Sequence, residues 1–412
     1  MYVCVRNVLQ ITYPHIKPNI KLASIVAMVS TRFGHTVLLR SDGSAVAIGR
    51  NLHGECDISP LGEGLTYYVQ ISAGYGHTVL LRSDGSVVAF GDNRNEQCNI
   101  PPLDDGMVYT QISAGYDHTV LLRSDGNAVA IGDNRKGQCN IPPLDEGLTY
   151  VQVSARYSHT VFLRSDGSAV AIGRNTDGQC DIPPLDDGMA YTQISAGFDH
   201  TVLLRSDGCA VVIGANRFGL CNIPPLDEGM KYVQGSAGFA HTVLLRSDGN
   251  AVAIGGNAYG KCNIPPLDGM AYAQISAGDD HTVLLLSDGS AIAIGSNDFG
   301  QCNIPLPAPG ICYVGDLTCG RDLALQLEAV VEGDAVTLIC STLVGEERLH
   351  LTARGVDSAW ETHKSIAREL KMNLWNLHLV LPDGQLLAKV CRANPGASVA
   401  DLTQSTKRRR VA

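Results

Sequence analysis

Residues 68–106 read YVQISAGYGHTVLLRSDGSVVAFGDNRNEQCNIPPLDDG, and this phrase returns along the chain with small changes. Its His-Thr marker falls at His35, His77, His118, His159, His200, His241 and His281, 40 to 42 residues apart. Seven cysteines, Cys56, Cys98, Cys139, Cys180, Cys221, Cys262 and Cys302, mark the other half of the unit. A fixed period near 40 is the signature of a repeat architecture. Four strand signals fill each unit. YVQIS alternates; HTVLL is a short apolar run; Ser-Asp-Gly is a turn in which Gly takes a positive φ; AVAIG returns; QCNIP is a fourth extended piece. PPLDDG reads as a surface loop, since prolines donate no backbone bond and the acids are best solvated.

Four short strands per unit, seven times over, predict an all-β seven-bladed β-propeller over residues 21–327. Blades with two apolar faces bury them by packing around an axis, whereas a solenoid of the same units needs polar caps at its ends. The segment ICYVGDLTCGRDLALQLE, residues 311–328, echoes YVQISAG-x-x-HTVLL without His-Thr. It is expected to return to the blade begun near 21–50 and close the ring. Residues 1–20 match no repeat and are read as an N-terminal lead.

The pattern SAGxxHTVLLxSDGxxxxxGxNxxGQC resembles the regulator-of-chromosome-condensation repeat. The resemblance covers residues 21–327 and implies a seven-bladed propeller. Two positions depart from it: Ile stands where the family usually has an aromatic before Gly, as in Ile131-Gly132, and Cys stands where Leu is usual. The family implies several roles: exchange factor for the GTPase Ran, substrate module of HECT-type ubiquitin ligases, plant UV-B photoreceptor, and bacterial β-lactamase inhibitor. The photoreceptor role needs propeller tryptophans, and Trp360 and Trp375 both lie beyond the repeats. Exchange uses an inserted β-wedge. The spacing from each Cys to the next repeat's Ser is 14 to 16 residues, which leaves no room for one.

The chain has 412 residues, 45% hydrophobic and only 17% charged, with 44 glycines, as suits short strands and tight turns. Net charge is −10. Residues 335–412 hold 11 Lys and Arg against 7 Asp and Glu, so the remainder carries −14. An acidic body repels phosphate backbones, which disfavours nucleic acid as a partner. No signal peptide and no membrane span is read. The 13 cysteines are expected reduced in an intracellular, cytoplasmic or nuclear, chain.

Beyond the repeats, residues 328–334 read as a linker. AVTLICSTL and RLHLTARGV read as strands, ETHKSIARELKM as a helix and NLHLVLPDGQLL as a strand and turn. The order ββαβ over 335–404 resembles a small α+β ubiquitin-like β-grasp domain, without a clear final strand. No terminal Gly-Gly precedes TKRRRVA, so docking rather than conjugation is expected. The tail 405–412 contains a candidate import signal, Lys407, Arg408, Arg409 and Arg410.

No catalytic constellation and no cofactor motif emerges. GGNAYGKC at 255–262 mimics a phosphate loop but is the sixth copy of GDNRKGQC, outside a strand-loop-helix context. Seven histidines in seven equivalent settings are expected to hydrogen-bond backbone rather than converge on a metal. The cysteines are expected to be packing residues. Two stretches vary among otherwise constant repeats. One gives Phe33, Tyr75, Tyr116, Tyr157, Phe198, Phe239 and Asp279, with Asp117, Asp199 and Asp280 beside them. The other gives Arg94, Arg135, Lys136, Asp177, Arg217, Phe218, Tyr259 and Phe299. On a shared face these form a candidate partner-binding ring, since aromatics and Arg are favoured at hot spots; the alternative is packing between blades. The reading is a non-catalytic protein-interaction scaffold with a propeller face and a docking domain. The alternatives are a substrate-recruiting relative of a HECT-type ligase, working with ubiquitin machinery, and an exchange factor for a small GTPase.

Overall fold

A computed structural model describes residues 29–61, 67–267, 270–307 and 312–313, and the backbone of four later strands between 323 and 380. The N-terminal lead, the helix read at ETHKSIARELKM and the import signal Lys407–Arg410 lie outside the described residues. The chain divides into two compact units, Met1–Asp316 and Leu317–Ala412.

The first unit holds seven antiparallel sheets, each of three strands in sequence order. In blade two these are Tyr68–Ala73 innermost, His77–Arg82 in the middle and Val87–Gly91 outside. Blade one begins at Val29–Arg32 and blade seven ends at Ala291–Gly295. Gly85, at the Ser-Asp-Gly turn, takes φ 79°, as the turn sequence predicts. The expected fourth strand, QCNIP, is not a strand. Its backbone is spent locally: Asn93 Oδ1 accepts the Cys98 N–H at 2.8 Å, the Ile100 N–H turns back to the Cys98 carbonyl, and two prolines follow that cannot donate.

The middle strand is buried on both faces, which is why HTVLL has no polar alternation. Val79 and Leu81 face blade three, packing with Tyr109, Ile112 and Leu121, while Leu80 faces blade one with Val37 and Leu39. Equivalent clusters fill every gap between successive blades. The last joins blade seven to blade one through Val283, Leu285, Val29, Leu38 and Tyr313. Each such side chain contributes about 1.5–3 kcal/mol of burial.

Polar clamps run beside the apolar ones. Gln70 accepts the Ile112 N–H at 2.9 Å and donates to the Ile112 carbonyl at 3.1 Å, so one amide side chain holds the next blade's inner strand. The same clamp recurs around the ring, ending with Gln274 on the Val29 N–H at 3.0 Å. Ring closure is completed by Tyr313, which bridges Arg40 as Tyr68 pairs with Arg82 in blade two. The expected closing segment therefore contributes its tyrosine. Its later part does not join the propeller's sheets: Leu323–Glu332 pairs antiparallel with Ala335–Thr342, which pairs with Glu347–Arg354. Leu377–Val380 lies parallel on the far edge, against Leu323–Gln326. Residues 328–332 of the stretch read as a linker thus lie in a strand.

The aromatic end of the propeller

Two kinds of loop meet at one end of the ring. The short turn between inner and middle strands, Gly74 to Gly76 in blade two, lies beside the loop after the outer strand, because the Asp92 N–H donates to the Gly76 carbonyl at 2.7 Å. Both variable stretches of the repeat therefore share a face.

Here the six aromatics form a continuous arc. Ring centroids lie 4.8 Å apart for Phe33 and Tyr75, 4.0 Å for Tyr75 and Tyr116, 5.4 Å for Tyr116 and Tyr157, 4.0 Å for Tyr157 and Phe198, and 4.1 Å for Phe198 and Phe239. Such contacts are each worth about 0.5–1.5 kcal/mol beyond area burial. The rings are half-buried, and Phe239 is exposed. The rings therefore stack on one another and keep an open side. The Arg50 guanidinium stands over Phe33 and Tyr75, 5.1 and 5.2 Å from the centroids, and Arg174 stands over Tyr157 and Phe198.

The charged candidates separate into two groups. Arg94, Arg135 and Arg217 project outward, their side chains 76%, 78% and 71% exposed. Arg94 and Arg135 are each propped on the Asp two residues before. Asp199 and Asp279 turn inward, while Asp280, its side chain 40% exposed, reaches back to a buried cation. Asp199 is paired with Arg174, Asp280 with the buried Lys261 at 2.8 Å, and Asp279 with Arg156 at 2.6 Å. Asp117 lies near Asp92 and Asp133; burial first, then these carboxylates, raise its pKa, against Arg94 and Arg135. Burial likewise raises Asp199, with Arg174 opposing.

The aromatics of the second variable stretch, and two arginines that the sequence reading missed, complete the end. Phe218, Tyr259 and Phe299 rim the arc, 72%, 64% and 48% exposed, with Phe299 6.1 Å from Phe33. Phe218 and Tyr259 hold φ of 65° and 61°, the left-handed region that side chains other than glycine pay to occupy. Arg32 and Arg156, 3% and 6% exposed, stand where the other repeats have the Gly of Ser-Ala-Gly. That replacement was the sequence signal for them.

Below this end lies the histidine girdle. Each His Nε2 meets the Thr hydroxyl of the next blade, from His35 with Thr78 at 3.1 Å to His281 with Thr36 at 2.8 Å. The Thr78 proton goes to the Glu55 carbonyl, so Nε2–H is the donor to Thr. The expected backbone partner is therefore a side chain, because the ring reaches across the blade gap. Burial pulls His77, His118 and His159 down to about 3, leaving neutral rings. The cysteine thiols pack as expected: Cys98 Sγ donates to the Asp92 carbonyl at 3.3 Å, and burial pushes it up to about 12.

The profile of the regulator of chromosome condensation (RCC1) repeat matches residues 68–97, 104–138, 150–179, 191–220 and 272–301. Among solved structures, Prp20p from Saccharomyces cerevisiae, described with its binding properties to Gsp1p and histones, is 15% identical with TM-score 0.55; the match covers 85% of this chain and 97% of that one. Yeast RCC1 (Prp20) bound to Kap60 is 16% identical with TM-score 0.55, covering 89% and 100%. The ectodomain of the receptor kinase ACR4 from Arabidopsis thaliana is 20% identical with TM-score 0.54, covering 69% and 99%. No curated protein matches the chain. With five matched repeats and seven three-stranded blades closed into a ring, the first unit is an RCC1-like seven-bladed β-propeller.

Proposed function

We propose that this chain is a non-catalytic interaction protein whose aromatic end receives a protein partner. The supporting observation is the arc from Phe33 to Phe239, capped by Arg50 and Arg174 and rimmed by Phe218 and Tyr259. Exposed aromatics held in costly backbone conformations, beside outward arginines, have the composition of a binding hot spot. Prp20p, a fold relative that binds Gsp1p and histones, is a propeller with protein partners, in keeping with this reading. The test is affinity capture with the full chain against the variants Phe218→Ala, Tyr259→Ala and Arg217→Ala. Partners should be lost by about tenfold or more with thermal stability unchanged. Capture that survives all three variants moves the site elsewhere.

A second reading is small-GTPase exchange, supported by the likeness to Prp20p and opposed by the uniform loop lengths. Nucleotide release from a panel of small GTPases, unaccelerated by this chain, would end it. For the second unit we propose the ubiquitin-like docking role. The parallel pairing of Leu323–Gln326 with Leu377–Val380 supports it, because parallel neighbours require a crossover such as a β-grasp helix. Co-purification of a ubiquitin-conjugating enzyme or ligase would support the relation to HECT-type ligases, and its absence would remove it.

A further inference from the structure

Among the described residues, the propeller axis gathers more buried cation than anion. Arg32 and Arg156 come from blades one and four, and both line an axial cavity of about 150 Å³. Arg156 is the better engaged: Nη1 donates to the Ala237 and Ala277 carbonyls at 2.8 and 2.6 Å and Nη2 to Asp279 Oδ1 at 2.6 Å, which leaves its Nε without a hydrogen-bond partner among the described residues. The Arg32 Nε lies 3.9 Å from the same Asp279 oxygen and finds no hydrogen-bond partner among the described residues. Among the described residues, two buried guanidiniums thus share the one carboxylate within 4 Å, an excess of positive charge at the axis, with Asp117 acting on Arg32 from farther off. An arginine does not escape by losing its proton, and an uncompensated buried charge is costly. Burial, then Arg156, already pull Arg32 down to about 9, the same imbalance seen from the proton's side.

The cavity wall has the matching polarity. Inner-strand serines line it, and six of the seven use their oxygen to accept the backbone N–H of the next blade, as Ser72 does from Ala114 at 2.9 Å and Ser113 from Ala155 at 2.8 Å. A hydroxyl so engaged still has its own proton to give. A polar cavity of this size holds several water-sized groups. We infer that the axial cavity binds a small tetrahedral oxyanion of the phosphate or sulfate class, held by Arg32 and Arg156 with seryl O–H groups around it. The site is independent of the partner face proposed above.

The test uses inorganic phosphate and the full chain. Phosphate should raise the Tm saturably and give a measurable heat by isothermal titration, against sodium chloride at equal ionic strength. An equal rise with chloride overturns the site. The triple variant R32G, R156G and D279Y gives positions 32 and 156 the Gly of the other five blades and position 279 an aromatic, as all six other blades have, so its fold is expected to survive, checked by far-ultraviolet dichroism. It should lose phosphate binding by at least tenfold; retained binding overturns the assignment. The single variant D279N removes the competing carboxylate and should bind phosphate at least tenfold more tightly. Unchanged or weaker binding by this variant also overturns it.

Discussion

Glu96 occupies the place that Gly137 and Gly178 hold in the following repeats, and it keeps their left-handed backbone, φ 64° against 82°. A side chain there costs about 1–2 kcal/mol, partly offset by the greater unfolded freedom of glycine. Glu96→Gly is therefore expected to stabilise the chain by about 0.5–1 kcal/mol, seen as a raised urea midpoint; a lowered midpoint would refute the strain. The cysteines offer a second residue-scale check. Cys209 is exposed, while the seven repeat cysteines are half-buried, and Cys56, Cys98 and Cys180 are pushed up to about 12 by burial. Because the thiolate is the reactive form, a maleimide should label Cys209 first among the described cysteines of the native protein and those three only on unfolding. Mass spectrometry of tryptic peptides would read this, and fast native labelling of Cys98 would contradict it.

Among elements, the repeated strand pair HTVLL–AVAIG supplies both the core and the joints. Thr160 accepts from His118 Nε2 at 3.0 Å and donates to the Gln138 carbonyl at 2.8 Å, tying blade three to blade four. Thr160→Val keeps the shape and strands two buried groups, so a loss of about 3 kcal/mol is expected from chemical denaturation. Thr119→Val should cost the same, since its bonds are equivalent. A loss below about 0.5 kcal/mol would mean that the girdle is not holding the blades. The strand signals of these elements were legible in the residues: apolar runs between Gly-containing turns mark strands wherever they fall. QCNIP misled because its β-rich letters are outweighed by the Asn bracket and the prolines. The Gln clamps were not legible, because an isolated Gln in an alternating strand reads as a solvent-facing position until a second blade is placed beside it.

At the scale of the whole ring, seven buried neutral histidines couple stability to pH. The unfolded imidazole takes its proton near pH 6.5, whereas the folded rings of blades two to five refuse it until about 3. Above about pH 6.5 neither state is protonated and the stability is fully present. As pH falls from there toward 3 the unfolded chain gains protons alone, and stability drops by about 1.4 kcal/mol per pH unit for each histidine. Urea titrations at pH 7 and pH 5 should show a steep fall in midpoint, with calorimetry detecting several protons taken up on unfolding at pH 5. A midpoint unchanged between the two values would show that the rings are not held neutral.

The seven-fold period, three of the four strand signals in each blade and the scaffold role of His and Cys follow from sequence alone, because a repeated phrase must fold the same way in every copy. Such a phrase has only one economical way to bury two apolar faces per blade. Tertiary structure decided what the repeat could not state: that the variable aromatics touch in one arc, that Asp199 and Asp279 turn inward to cations while Asp280 reaches back to one, and that Arg32 and Arg156 meet at the axis. Those residues are distant in the chain, Arg156 and Asp279 by 123 positions. Only closure of the ring brings them together, and charges that read as surface residues become a buried cluster once a ring surrounds them.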